Sequence, residues 1–232
     1  MTKAVFDPAN PKSLAKFIDH TLLKADATKT DIRKLCEEAM ENQFFAVCVN
    51  SWMLPTCREL LKTTKIQIAS VVGFPLGANE SSVKTFEATR AFNLGANEVD
   101  MVLNIAALKS GDYTYVEKEI QSIVRAAENR LVKVIFETCL LTDDEKRKAC
   151  EVSLNAGAHF VKTSTGFSTG GATVADIALM KAAVGTRAEV KASGGIRDLA
   201  TAQQMIDAGA TRLGTSSGVL LVKGQNVSHG NY

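Results

Sequence analysis

Short runs of β-forming residues recur roughly 20–35 residues apart, and stretches with helical periodicity fill the intervals. The runs predict strands near Ile18–Leu23, Phe45–Asn50, Gln67–Gly73, Glu98–Leu103, Leu131–Glu137, Phe160–Thr165, Glu189–Ser193 and Arg212–Thr215. Several are rich in Val, Ile and Phe and bounded by Gly, Asn or Ser. Two of them, Ile68–Val72 and Val132–Phe136, are mostly apolar on both faces, as in a sheet covered by helices. Lys133 is the one charge inside the second.

The intervals carry helix signals. In Lys29–Glu41, Ile32, Leu35, Cys36, Ala39 and Met40 fall at helical spacing with charges between them. Thr28 is placed to cap that helix, with Asp31 three residues on to stabilise its first turn. Asp143–Asn155 is a second helix, closing at Gly157 in an expected left-handed cap. Asn-Leu-Gly, Asn-Ala-Gly and Asp-Ala-Gly triplets end at Gly95, Gly157 and Gly209, each just ahead of a strand. Three similar helix-to-strand turns indicate one repeated β–α unit.

Eight such units predict a (β/α)₈ TIM barrel. Pro11–Phe17 precedes the first strand and is expected to form an extra helix under the barrel floor. No linker or shift in composition divides the chain, so residues 1–232 read as a single domain. An open doubly wound sheet is the alternative fold. The absence of G-x-G-x-x-G after the first strand weighs against its dinucleotide-binding form.

Composition narrows the functional classes. Of 232 residues, 46% are apolar and 22% charged, and the formal net charge is +2. The densest basic cluster, Lys146-Arg147-Lys148, adjoins Asp143, Asp144 and Glu145, a solvated helix face rather than a nucleic-acid patch. No run approaches the roughly 20 apolar residues of a membrane span. Met1 to Asn10 holds no apolar stretch, so a cytosolic protein is expected. Five cysteines at wide spacing fit a reducing compartment. They and the three histidines lack the paired spacing of a zinc site.

Candidate chemistry lies at strand ends, where barrel enzymes keep their catalytic groups. Asp100 in EVDMVLN, Lys162 in HFVKTSTG and Lys191 in EVKASGG each place a charge in an apolar or small-residue setting. Lys133 and Glu137 are lower-ranked candidates. Two-residue alternation allows both Lys162 and Lys191 to point into the barrel and approach each other. Like charge and burial both disfavour protonated amines. An ordinary lysine, with pKa ~10.4, is only about 0.04% neutral at pH 7, whereas one lowered to ~7 is half neutral and nucleophilic. Asp100 would balance the extra charge and relay protons.

The loops after the last two strands suggest a phosphate site. Ser193-Gly194-Gly195-Ile196-Arg197 and Gly214-Thr215-Ser216-Ser217-Gly218 combine glycines with helix starts, at the usual phosphate position of this fold. Gly166 would complete the pocket from the sixth loop, and Thr169-Gly170-Gly171 is either a closing segment or a simple loop.

FIDHTLLK (17–24), SVVGFPLG (70–77), GANEVDMVLN (95–104), HFVKTSTGFSTGGAT (159–173) and VKASGGIRD (190–198) resemble the bacterial deoxyribose-phosphate aldolases, in order over almost the whole chain. The resemblance implies a class I aldolase that cleaves 2-deoxyribose 5-phosphate through a Schiff base, with no cofactor and no metal. It makes Lys162 the Schiff-base lysine, Lys191 its pKa-lowering partner and Asp100 an acid/base acting through water. It makes Gly166, Gly194, Gly195, Arg197, Gly214, Ser216 and Ser217 the phosphate pocket. Asp19, Thr21 and Thr165 become supporting polar groups. Tyr232 reads either as a proton relay that reaches the site on a mobile tail or as a plain disordered end. Some relatives carry a lysine where this chain has Phe167, and a charge at that position is absent here. Cys48 resembles a cysteine seen in relatives, and reads as a buried apolar residue. The implied partners are phosphosugar and aldehyde substrates and a second copy in a homodimer, without nucleic acid or membrane. Another phosphate-binding barrel enzyme, such as a sugar-phosphate isomerase, or a non-catalytic phosphosugar sensor are the competing readings.

Overall fold

The structure, a computed structural model, describes residues 5–225. Within them, eight parallel strands close in sequence order: β1 Ile18–Leu22, β2 Ala46–Val49, β3 Gln67–Val72, β4 Glu98–Val102, β5 Leu131–Ile135, β6 Phe160–Lys162, β7 Glu189–Ser193 and β8 Arg212–Thr215. The last pairs with the first, Ile18 beside Leu213 and Asp19 beside Gly214. Parallel neighbours need long crossovers. These contain helices α1 Lys29–Asn42, α2 Leu54–Leu61, α3 Ser81–Asn93, α4 Ile105–Lys109, α5 Tyr113–Ala126, α6 Asp143–Asn155, α7 Val174–Val184 and α8 Leu199–Asp207, and α9 Gly218–Val222 follows β8.

The expected strands all form. The sixth is shorter than its sequence suggests, ending at Lys162 instead of Thr165. The β-prone Thr163 and Thr165 turn from the ladder to side-chain bonds: Thr163 Oγ1 donates to Ser193 O (3.1 Å), and Thr165 pairs with Glu137. The segment Pro11–Phe17 is a 3₁₀ helix that buries Leu14, Ala15 and Phe17. It packs on α9 and accepts, at Ala15 O, the Phe45 N–H (3.1 Å), so it lies at the N-terminal end of the strands as expected.

Local rules account for the helix ends. Thr28 and Asp31 form a reciprocal capping box, as do Thr142 and Glu145 at the start of α6. Gly95, Gly157 and Gly209 have φ of 113°, 83° and 114°, where a side chain would be strained.

The strands bury their two faces differently. Outward residues such as Val47, Val99, Met101, Val132, Val134, Val161, Val190 and Leu213 join Ile32, Leu35, Ile120, Ile123, Ile177 and Met180 of the helices in one apolar layer. Full burial of such a side chain contributes about 1.5–3 kcal/mol, so this layer supplies much of the drive to fold. Inward positions are freed for polar groups. A small apolar cluster of Leu23, Cys48, Ala69 and Val71 lies apart from that layer. Asp19, Glu98, Asp100, Lys133, Lys162, Lys191 and Arg212 are buried side chains from β1, β4, β5, β6, β7 and β8.

Candidate active site

Strand alternation and register bring the charged groups together. Lys162 and Lys191 are register partners on β6 and β7, and both reach Asp100 Oδ2 at 2.8 Å. Lys133, from β5, donates to Asp100 Oδ1 at 2.8 Å. One carboxylate therefore accepts hydrogen bonds from three lysine side chains. Lys191 also pairs with Asp19. Thr21 Oγ1 donates to the Asp19 backbone O (2.9 Å), not to the charged groups. These charged side chains are at most 4% exposed.

Protonation follows from the balance of burial and neighbours. Burial alone would raise the Asp100 carboxyl, but Lys133, Lys162 and Lys191 hold it well below the usual carboxylate range. Burial also works against the Asp19 anion, yet Arg212, Lys191 and Lys133 lower its pKa to about 2. Lys191 resists burial because Asp100 and Asp19 both flank it, and its pKa rises above that of an ordinary lysine. Lys162 goes the other way. Burial pushes it down, Asp100 offsets this in part, and Lys191 pushes it further down. Lys162 thus loses proton affinity, while Lys191, flanked by two carboxylates, gains it.

The three loops of the predicted phosphate pocket are stitched together. Ser193 Oγ donates to Ser164 O (2.9 Å), tying the loop after β6 to the end of β7. Thr215 Oγ1 donates to Ile196 O (2.9 Å) and accepts from Ser217 N–H (3.0 Å), tying the loops after β7 and β8. Gly166, Gly194 and Gly195 all have positive φ, and a Cβ on Gly194 would meet Gly171 Cα at 2.9 Å and Gly166 Cα at 3.7 Å. The Ser164 hydroxyl is buried with no hydrogen-bond partner among the described residues. Gly166, Gly195, Arg197 and Ser216 are exposed, and Ser217 is half-buried. Gly214 sits deeper: a Cβ there would meet Lys191 Cε at 3.1 Å, so it makes room for that lysine.

Glu137, with φ of 56°, is buried, and its carboxylate accepts from the Thr165 hydroxyl and N–H. Thr165 Oγ1 in turn accepts the Phe167 N–H at 3.0 Å, and Phe167 meets Phe74 edge-on at 5.1 Å. The Thr169–Gly171 stretch packs on the neighbouring loops: Ala172 N–H donates to Ser193 O and Gly194 O, both at 3.0 Å. Tyr232 lies outside the described residues.

Two members of the cluster were not foreseen from sequence, Glu98 and Arg212. Glu98 precedes Asp100 by two residues, and Arg212 precedes Gly214 by two, so strand alternation puts each on the inward face.

The family described as DeoC/LacD family aldolase matches residues 13–223. The chain belongs to this family. It is 59% identical to the deoxyribose-phosphate aldolase of Carboxydothermus hydrogenoformans, over 91% of this chain and 94% of that one. It is 53% identical to that of Mannheimia succiniciproducens, over 96% of this chain and all of the relative. Among solved structures, an aldolase called QR15 superposes with a TM-score of 0.87 at 42% identity, covering 90% of this chain and 94% of that one. The deoxyribose phosphate aldolase of Aeropyrum pernix, described as a unique tetramer, superposes with a TM-score of 0.86 at 34% identity, covering 93% and 92%. Among the described residues no helix is long and apolar enough to cross a membrane.

Proposed function

We propose that this chain is a class I aldolase that reversibly cleaves 2-deoxy-D-ribose 5-phosphate to acetaldehyde and D-glyceraldehyde 3-phosphate through an imine on Lys162. The observation that carries the reading is a buried lysine of lowered proton affinity, sharing one carboxylate with two lysines of raised affinity. A neutral amine is what carbonyl attack requires.

In the cleavage direction, the Lys162 amine attacks the C1 aldehyde of the open-chain sugar. The carbinolamine loses water to give a protonated imine, which draws electrons from the neighbouring bond. The C3 hydroxyl loses its proton, the C2–C3 bond breaks, and glyceraldehyde 3-phosphate leaves. The remaining enamine takes a proton at C2, and hydrolysis releases acetaldehyde and restores Lys162. Asp100 is the acid/base for these transfers, acting through water, and Lys191 supplies the nearby fixed positive charge. The stitched loops carrying Gly166, Gly194, Gly195, Arg197, Ser216 and Ser217 receive the phosphate, with backbone N–H groups made accessible by glycine. Asp19, Thr21, Thr165 and Gly214 support the site. Tyr232 takes part in moving the C2 proton.

The same reading makes residues 1–232 one domain of a cytoplasmic homodimer. Exposed Leu76, Val83 and Phe86 offer apolar surface for a second copy.

The test is to incubate the protein with acetaldehyde, reduce with borohydride and locate the adduct by peptide mass spectrometry. The expected adduct is on Lys162 and depends on acetaldehyde. No adduct, or one spread over surface lysines, would remove the nucleophile and favour a non-catalytic sensor or an isomerase.

A further inference from the structure

The charges inside the barrel close into a ring. Arg212 Nε donates to Asp19 Oδ1 at 2.7 Å, and its Nη2 donates to Glu98 Oε2 at 2.9 Å. Glu98 Oε2 accepts from Lys133 Nζ at 2.5 Å, and Lys133 continues to Asp100 Oδ1 at 2.8 Å. Asp100 Oδ2 accepts from Lys191 at 2.8 Å, and Lys191 returns to Asp19. Around this circuit cation and anion alternate: Arg212, Asp19, Lys191, Asp100, Lys133, Glu98. Three positive charges meet three negative ones. Lys162 is outside the circuit, bonded to Asp100 Oδ2 at 2.8 Å. Its proton is the surplus charge.

Among the described residues, Asp100 is the carboxylate paired with Lys162. Cys48 faces Asp100, Lys162 and Lys191, and burial holds its thiol neutral. His159 stands near Lys133, and burial together with that lysine's charge lowers its proton affinity. The Arg212 guanidinium lies 3.8 Å from the Phe45 ring centre and 5.9 Å from that of Phe160.

We propose that Glu98 and Arg212 are positioning residues that disfavour a proton on Lys162 by closing a charge-balanced ring beneath it. A balanced ring has little net field with which to hold one more proton in a buried place. Removing Arg212 leaves an excess anion, which the Lys162 proton then satisfies. Removing Glu98 leaves an excess cation, which repels that proton further. Neither side chain need touch substrate. The inference rests on Lys162 being the nucleophile.

The experiment measures kcat/KM for 2-deoxyribose 5-phosphate against pH in R212Q, E98Q, E98Q/R212Q and R212K, with folding checked by circular dichroism. The acidic limb should move up by about one pH unit in R212Q and down in E98Q. It should return to near its wild-type position in the double variant, and stay there in R212K. A purely structural role would lower activity without moving the limb in opposite directions. Folded single variants with an unmoved limb, or with limbs moving the same way, would overturn the proposal, as would a double variant that does not return. Should the single variants not fold, the wild-type protein labelled with ¹³C-lysine decides by NMR. Lys162 should lose its proton before Lys133 and Lys191, and either of those titrating first overturns the ring. Borohydride trapping of the wild type separates the two levels. No adduct on Lys162 defeats the functional reading, whereas an adduct with unmoved limbs defeats the ring alone.

Discussion

Lys84 and Glu119 also form a buried ion pair, but outside the barrel, between α3 and α5. They meet at 2.9 Å with both side chains at 0% exposure, and Lys84 also donates to Val102 O at 3.0 Å. Here burial dominates: it lowers Lys84 and raises Glu119 despite their mutual attraction. Inside the barrel, Lys133, Lys191, Asp19, Glu98 and Asp100 are buried as deeply, yet each moves toward its charged form. The difference is the number of counter-ions. Each ring member is bonded to at least two, Asp100 to three, whereas Lys84 and Lys162 are each bonded to one. Lys162 therefore behaves like Lys84, although it lies among the charges inside the barrel.

The strongest way to break this comparison is Lys191→Met. Loss of that cation leaves Asp100 and Asp19 under-compensated, so Lys162 should hold its proton more tightly. A fall in kcat/KM at pH 7 of roughly a hundredfold or more is expected, since each unit of rise in pKa removes about nine-tenths of the neutral amine. The acidic limb should rise with it; a fall in activity with the limb in place would detach Lys191 from the charge of Lys162. Next is Lys84→Met. It strands a buried carboxyl, and urea unfolding should show a loss of about 3–5 kcal/mol. Lys84→Met combined with Glu119→Leu should recover most of that stability, because two fitted apolar groups can replace a buried pair. If the double variant is no better than the single, the pair is more than an isolated ion pair.

The fold was legible because its signals are local. Runs of Val and Ile, capping residues and the glycine triplets ahead of three strands mark the repeat without distant information. The pairing of Lys162 with Lys191 and Asp100 could also be reached, since alternation and strand order bring them to one face. The rest of the ring was harder to see. Arg212 and Glu98 are 114 positions apart, and a charged strand residue reads equally well as a surface group until its partner across the barrel is known. Lys133 raised the same ambiguity as a single charge in an apolar strand. At the end of β6, β propensity pointed to a longer strand, but side-chain bonds to Glu137 and Ser193 draw Thr163 and Thr165 into the site loop.

A smaller effect concerns acid stability. The Asp19 pKa is depressed from 3.8 to about 2 in the folded protein. A depressed carboxylate stabilises the fold fully above its unfolded pKa and loses that contribution as pH falls through the folded value. Asp19 should therefore contribute on the order of 2 kcal/mol above about pH 4, fading toward pH 2. Urea midpoints at pH 5 and pH 3 should fall less between those values in Asp19→Asn than in the wild type, though the variant is weaker at both. An equal fall would mean that Asp19 is not held ionised by the ring. The smallest effect is expected far from the charges. Thr142→Ala removes a capping box on α6 and should lower stability by about 1 kcal/mol while leaving kcat/KM unchanged. A change in activity would show that the outer layer and the ring are coupled.

Arg212 stacks on Phe45 at the N-terminal end of the strands, within the side-chain filling of the barrel. The 3₁₀ segment Pro11–Phe17 lies at that same end. Exchange of the Lys162 proton with solvent then runs through the C-terminal face, where barrel enzymes take in substrate. Solvent isotope then reaches the enamine only after glyceraldehyde 3-phosphate has left that face, so label arriving at C2 of acetaldehyde becomes a clock for the departure of the first product.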